Sequence, residues 1–467
     1  MKPFSLYLTI TNRQSRFAIR MFTLSRIAAA LTSLSQRWIP SAFAIAVLLT
    51  FVIFAIAVGA GASPERVLVE WGNGFWTLLP FAMQMSLVIL TGYIVSAAPI
   101  MERLFARLAA LPHSPRGAVV MMALVSMGLA WFHWGLSLVG CAMFVRHVAR
   151  AQPRVDYRLL VAAAYFGMGA TWHSGLSASA PLLVATPGHF LESRIGIIPV
   201  TRTIFHPFNL VLTAIVVAVL ALLAWALHPR QEETVSVDPA TLDALGRFTP
   251  PERPAAHGLA AWIDYTWWLN GAIGLAGAAW LAWHFSTRGF ALTLDVLNFA
   301  FLMLGILLHR NPASLLAAAE QGAGLLAGVV LQFPFYAGMY GIIQGTGLSA
   351  AAGQWIANAA DPRLFPLLLY WYSGLVNYFV PSGGSKWAIE APYLVDAAER
   401  LGLGVDQVVV AYAWGDMATD LIQPFWALPL LAAARLDFRD IMGYAMLVFL
   451  VYATLVSAAF WLLPAVW

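Results

Sequence analysis

The sequence predicts an all-α integral membrane protein, with about nine transmembrane helices and two re-entrant hairpins arranged as two inverted repeats. Three observations predict it. First, the 467 residues are 61% hydrophobic and only 10% charged, where soluble domains carry roughly 25% charged residues. Second, long stretches hold no Asp, Glu, Lys or Arg: 38–64, 71–101, 117–145, 159–191, 203–229, 265–287, 321–360, 364–385 and 441–467. A bilayer span needs about 20 apolar residues, and the strict alternation of a membrane β-barrel is missing from these runs. Third, a shift of 248 residues superposes Gly, Pro and polar positions of the two halves. Gly74 meets Gly322, Gln84 meets Gln332, and Gly135 and Ser137 meet Gly383 and Ser385. Gly167 and Thr171 meet Gly415 and Thr419, and Pro181 meets Pro429.

In chain order, residues 1–40 read as a basic N-terminal segment. It has six basic residues and no acid before position 38, and Met21–Arg37 fits an amphipathic helix lying on the membrane. No small-residue cleavage site follows an apolar core there, so no signal peptide is expected. Residues 41–228 form the first repeat, with spans near 41–60, 76–98, 158–185 and 206–228 and a hairpin at 118–149. Residues 229–288 hold a polar loop and a bridging span near 262–285. Residues 289–467 form the second repeat, with spans near 289–309, 323–345, 406–435 and 440–464 and a hairpin at 363–399. Both hairpins are expected because Gly, Ser and Pro interrupt them near their middles, leaving room for two half-length helices. Broken backbone at membrane depth is tolerated where it lines a cavity or is buried in protein. With each hairpin returning to its own side, 19 Lys and Arg fall on one face and six on the other. The positive-inside rule then predicts a cytoplasmic N-terminus. Five crossings separate corresponding points, so the second repeat is inverted. Inverted repeats with discontinuous helices mark secondary transporters, with the site at the repeat interface.

Charges inside the apolar segments are few: Asp295, Lys386, Glu390, Asp416 and Asp420. Each costs a few kcal/mol at membrane depth, which points to function. Asp295 lies near the outer end of its span and reads as an interface residue. Lys386 is one of two lysines against 24 arginines, in Ser382-Gly383-Gly384-Ser385-Lys386-Trp387. Two glycines allow close backbone approach, and a helix starting there aims free N–H groups at an anion. Glu390 follows four residues later on the same face; the alternative is a neutralised pair that only packs the hairpin. Asp416 and Asp420 are also four apart. Two close carboxylates in a low dielectric need a shared proton or an intervening cation, which suits a coupling site; alternatively one of them pairs with Lys386. Thr171, His173, Ser174, Ser177 and Ser179 make a polar break in the first repeat, and His133 sits at the first hairpin's break. Either histidine reads as a hydrogen-bonded core residue or as a proton relay. The lone Cys141 excludes a disulfide framework. No phosphate loop, zinc spacing or nucleophile elbow appears, so neither an enzyme nor a nucleic-acid binder is indicated.

Several stretches resemble the short-chain fatty acid transporter family of bacterial permeases, associated with acetoacetate and butyrate uptake. They are Trp71-Gly72-Asn73-Gly74-Phe75-Trp76, Gln332-Phe333-Pro334-Phe335-Tyr336-Ala337-Gly338, Val380-Pro381-Ser382-Gly383-Gly384 and Gln423-Pro424-Phe425-Trp426-Ala427-Leu428-Pro429. The resemblance runs in order from about Met21 to the C-terminus. It implies two hairpins, a scaffold domain, a moving transport domain and a homodimer. Where the family has a neutral run in the second hairpin, this chain has Lys386 and Glu390.

The expected function is secondary active transport of small monocarboxylates. Such an acid, with a pKa of about 4, is an anion at neutral pH. An inside-negative potential of about 100 mV opposes its entry by about 2.3 kcal/mol, roughly 50-fold. Uptake therefore needs a co-transported cation, with H⁺ favoured over Na⁺, or exchange for another anion. No cofactor beyond that ion is expected. The substrate set read from the sequence is Gly135, Ser137, Ser174, Ser177, Ser382, Gly383, Gly384, Ser385, Lys386, Trp387, Glu390, Phe425 and Trp426. The coupling set is Thr171, His173, Asp416, Thr419 and Asp420. The rival readings are an anion exchanger and a membrane-embedded ligand sensor.

Overall fold

The computed structural model describes residues 42–238, 241–242, 248–255 and 258–467. The amphipathic helix expected over Met21–Arg37 lies outside them. The described residues form helices, turns and loops, with no strand among them.

The first half runs α1 (Ala42–Gly59), α2 (Pro64–Gly74), α3 (Leu79–Ala97), α4 (Pro99–Ala109), α5 (Pro115–Phe132), α6 (Trp134–Ala151), α7 (Tyr157–Ala170) and α8 (Ser179–Leu183), then α9 (Glu192–Ile195) and α10 (Pro207–Leu227). Beyond the polar loop come α11 (Leu259–Asp264), α12 (Trp268–Arg288) and α13 (Leu294–Leu308). The second half continues with α14 (Pro312–Ala323), α15 (Ala327–Gly345), α16 (Leu348–Ala359), α17 (Phe365–Phe379), α18 (Gly383–Leu401), α19 (Val405–Ala418), α20 (Leu428–Ala434) and α21 (Phe438–Val466). Adding 248 to the bounds of α2 through α8 reproduces those of α14 through α20 to within three residues. Packing repeats as well: α5 lies on α7 as α17 lies on α19, and α4 on α6 as α16 on α18.

Local chemistry explains several starts. Ser63, Ser114 and Asn311 each accept a main-chain N–H three residues on, just before a proline at the first helical position. There the missing N–H costs nothing and the fixed φ is already helical. These caps begin α2, α5 and α14. The short helices α2, α4, α14 and α16 were not expected from the apolar runs, because each is a mixed polar segment between spans.

The chain reverses after one extended residue, His133 (φ −163°), between α5 and α6. Across the reversal the Ser137 hydroxyl donates to Ser126 O at 2.9 Å. The second hairpin turns through Val380-Pro381-Ser382, and the hydroxyls of Tyr372 and Tyr393 meet across it at 2.8 Å. The arms are longer than the half-length helices expected. At 18 residues α5 and α6 each run about 27 Å. The reason is that the arms continue into charged last turns, carrying Arg150 in α6 and Glu399 and Arg400 in α18.

Two expected spans are not continuous. Residues 158–185 fold as α7, a single 3₁₀ turn at Trp172–Ser174, and α8; residues 406–435 fold as α19, a turn at Thr419–Leu421, and α20. A threonine at each break ties it to the neighbouring helix. The Thr171 hydroxyl donates to Met127 O in α5 and the Thr419 hydroxyl donates to Gly374 O in α17, both at 2.8 Å. Among the described helices α3, α5, α10 and α21 are each long and apolar enough to cross a bilayer alone, and α14 with α15 forms a further pair bent by 51°. Large apolar side chains such as Leu222, Trp225, Leu275 and Trp283 stand exposed on the outside of α10 and α12, as a lipid-facing surface requires.

The halves interlock at the centre. The second arm of each hairpin packs on the short helix of the other half: α6 on α20, and α18 on α8. Glycines permit some of the closest crossings. A Cβ on Gly74 in α2 would lie 2.7 Å from Gly341 Cα in α15.

Candidate substrate and coupling site

Where the halves meet, a cavity opens between the second hairpin's turn and helices α3 and α15. Ser382, Gly383, Gly384, Asn377, Asp420 and Ser179 give it a polar side. Met85, Ile89, Met168, Val329, Phe333 and three tryptophans, Trp134, Trp172 and Trp426, give it an apolar one.

The polar side begins at the start of α18. Ser382 stands at the cap position, but its side chain accepts no main-chain N–H of the first turn. Its hydroxyl donates to Ser385 Oγ at 2.9 Å. The Ser382 side chain thus leaves the opening N–H groups of α18 uncapped, and Gly383 and Gly384 line the cavity. No side chain larger than glycine fits this approach: a Cβ on Gly383 would stand 2.7 Å from the His173 ring, and one on Gly384 would stand 2.7 Å from Phe81. Trp426 closes the turn by donating its indole N–H to Pro381 O at 2.9 Å.

The first hairpin ends differently. At the start of α6 the Trp134 N–H donates to Ser177 Oγ at 2.9 Å, and the Leu136 N–H donates to His133 Nδ1 at 3.2 Å. Protein groups thus consume the donors that α18 leaves free. Of the first-half residues read from the sequence as substrate ligands, none lines the cavity. Ser137 and Ser177 hold the hairpin, and the Ser174 hydroxyl donates to Thr171 O. Gly135 sits where a Cβ would meet Val88 O.

Behind the cavity wall lies a buried charge cluster. The Lys386 ammonium, 1% exposed, is 3.0 Å from Asp416 Oδ1. It donates to Ser373 O at 2.8 Å and Ser373 Oγ at 2.7 Å. Glu390 Oε2 lies 3.9 Å away, and the Tyr412 ring faces the ammonium at 4.3 Å. On its other side Asp416 Oδ2 bonds His173 Nδ1 at 2.8 Å. Because His173 Nε2 accepts the Ala180 N–H at 3.2 Å, the ring's own proton sits on Nδ1 and points at Asp416. Asp416 is thus clamped between the two halves, with His173 from the first and Lys386 from the second.

Asp420 is arranged differently and reaches the cavity. Asn377 and Gln423 donate to its Oδ1 at 2.9 and 3.0 Å, and the Trp172 indole donates to Oδ2 at 3.1 Å. Its partners are neutral N–H donors. Four apart in sequence, Asp416 and Asp420 therefore have separate surroundings, one in an ion pair and one on the cavity wall.

The remaining expected residues are apart from the cavity. Trp387 is fully buried against Tyr412, with ring centroids 4.8 Å apart. Phe425 is 37% exposed and touches the edge of Trp426. Asp295 bonds Gln84 Nε2 at 2.8 Å. Reading for charge missed Ser373, Asn377, Tyr412, Gln423 and Trp172, which are neutral; the one available signal was Gln423, inside the motif Gln423-Pro424-Phe425-Trp426.

A multi-pass helical chain with a cavity at the interlock of two hairpins, and buried charges behind it, is a membrane transporter. The particular family follows from comparison: the model of the short chain fatty acid transporter family matches residues 23–463. The chain belongs to that family. It is 37% identical over 425 residues to an Escherichia coli (strain K12) protein named provisionally as a short-chain fatty acid transporter, covering 90% of this chain and 96% of the relative. A Haemophilus influenzae protein with the same provisional name is 36% identical over 431 residues, 91% of this chain and 96% of that protein. The fold is similar to that of the Alcanivorax borkumensis YdaH transporter, with a TM-score of 0.58 at 18% identity over 92% of this chain and 99% of that one.

Proposed function

We propose that the protein carries short-chain fatty acids into the cell by secondary active transport, coupled to protons in preference to Na⁺. One observation carries the reading: the cavity joins an uncapped helix start to an apolar wall. A carboxylate fits the N–H groups of Gly383, Gly384 and Ser385, where the helix terminus favours an anion. A short acyl tail fits against Met85, Ile89 and Phe333. Lys386 lends its field from behind the turn and does not line the cavity.

Asp420 is the proposed coupling residue, because it is the carboxylate on the cavity wall. Three N–H donors surround it, whereas a Na⁺ ion needs a shell of oxygens; this favours the proton. Asp416 is balanced by Lys386 and stays so through the cycle. The matching helix bounds at an offset of 248 support two repeats, and the 19:6 split of basic residues supports an inverted arrangement with a cytoplasmic N-terminus in the bacterial inner membrane. A homodimer with moving hairpins completes the proposal, on the strength of the family resemblance.

Liposomes holding the purified protein should accumulate labelled butyrate when the outside is made acidic. Accumulation driven by a Na⁺ gradient at fixed pH would replace the proton with sodium. Counterflow without response to either gradient would make the protein an exchanger, and binding without uptake a sensor.

A further inference from the structure

Four oxygens converge on one point behind the second hairpin's turn: a main-chain carbonyl and a hydroxyl from Ser373, and carboxylates from Asp416 and Glu390. Their distances to Lys386 Nζ are 2.8, 2.7, 3.0 and 3.9 Å. We propose that these oxygens form an alkali-cation site that the chain fills with its own lysine ammonium.

The donor set is the first argument. Carbonyl, hydroxyl and carboxylate oxygens with no nitrogen or sulfur suit a hard cation rather than a transition metal. Among the described residues no three His, Cys, Asp or Glu side chains cluster as a metal site would require, so the set is too poor in charge for a tightly held divalent ion. The second argument is direction. Asp416 Oδ1 and Glu390 Oε2 are both buried and turn toward the ammonium from 3.0 and 3.9 Å. The third is enclosure. The Tyr412 ring covers the ammonium at 4.3 Å, and the Tyr412 hydroxyl is tied to Gly383 O at 2.6 Å. The site is therefore shut on the side of the turn.

The site joins α17, α18 and α19, the two arms of the hairpin and the helix beside them. A free ion there would leave and return. The tethered ammonium cannot, so this position holds the hairpin together in every state and needs no sodium to do so. Asp420 is left as the carboxylate whose counter-charge can exchange with water. The inference does not depend on which acid is carried.

Removing the tether should convert the position into a true ion site. Lys386→Ala and Lys386→Gln proteins in detergent would be unfolded thermally in NaCl, KCl and N-methyl-D-glucamine chloride at equal ionic strength. The native protein should melt at one temperature in all three. The Ala variant should be stabilised saturably by Na⁺ or K⁺, by a few degrees once the ion exceeds its dissociation constant about tenfold. Its response should vanish when Asp416→Asn is added, and the Gln variant should show the same selectivity more weakly. A native protein that itself requires Na⁺ would overturn the proposal. So would an Ala variant that is folded and indifferent to the cation, or one unfolded in every salt while the Gln variant folds and ignores the ion. Because the readout is stability, it is independent of whether butyrate is transported.

Discussion

Substituting Asn for Asp416 changes one atom and removes the charge that faces Lys386 at 3.0 Å. At an effective dielectric of about 20, the lost attraction at that distance is about 5–6 kcal/mol. Glu390, 3.9 Å from the same ammonium, recovers part of it. Hydrogen bonding adds to the loss. His173 Nδ1 and Lys386 Nζ both offer protons to Asp416, and a carboxamide has only one acceptor oxygen, so its NH₂ must confront one donor. The net effect should fall in the range of about 3–5 kcal/mol seen when one member of a buried pair is removed. At about 2 °C per kcal/mol for a large chain, the apparent unfolding midpoint should drop by about 6–10 °C. The 19 tryptophans of the chain give the signal in a thermal fluorescence scan. Replacing both members is the decisive arm. An intact buried pair is often exchanged for neutral residues at little cost, so Asp416→Asn with Lys386→Met should regain at least half of the single-mutant loss. A double variant no more stable than the sum of the two single losses would refute the reasoning.

Asp420→Asn should abolish gradient-driven accumulation of butyrate in liposomes while downhill counterflow continues; undiminished accumulation would remove Asp420 from coupling. Gly384→Val should leave the protein folded but weaken carboxylate binding at least tenfold by calorimetry, since even a Cβ would stand 2.7 Å from Phe81. Gly74→Ala should lower stability by about 1–3 kcal/mol through overpacking against Gly341, read as a fall in the melting midpoint with substrate affinity intact. Arg194→Ala breaks contacts to Asp396 and Glu399 that tie the first half to α18; the arginine is 30% exposed, so the expected loss is about 1 kcal/mol or less.

Charge and glycine were the features readable in advance. Lys386 and Glu390 four apart, and Asp416 and Asp420 four apart, stand out because almost nothing else in the apolar segments is ionised. The offset of 248 was readable because Gly, Pro and Thr recur where the backbone is interrupted in each half. Partnership was not readable. Whether Asp416 would meet Asp420 or Lys386 depends on how α18 lies beside α19, and spacing within one helix carries no information about the neighbour. Neutral donors were invisible for a related reason. Asn377 and Gln423 look like any amide until the fold turns both toward Asp420. The small helices α2, α4, α14 and α16 escaped because search by apolar length discards mixed segments, although Ser63-Pro64 and Asn311-Pro312 are visible start signals.

The different fates of the two hairpin turns bear on stoichiometry. The chain carries the same device twice, yet Ser177 and His133 occupy the amides of one copy while the other is left open. If the proposed site is right, one turn is a rigid abutment and the other the receptor. A ligand titration should then saturate at one acid per chain, with a hyperbolic dependence of transport on substrate.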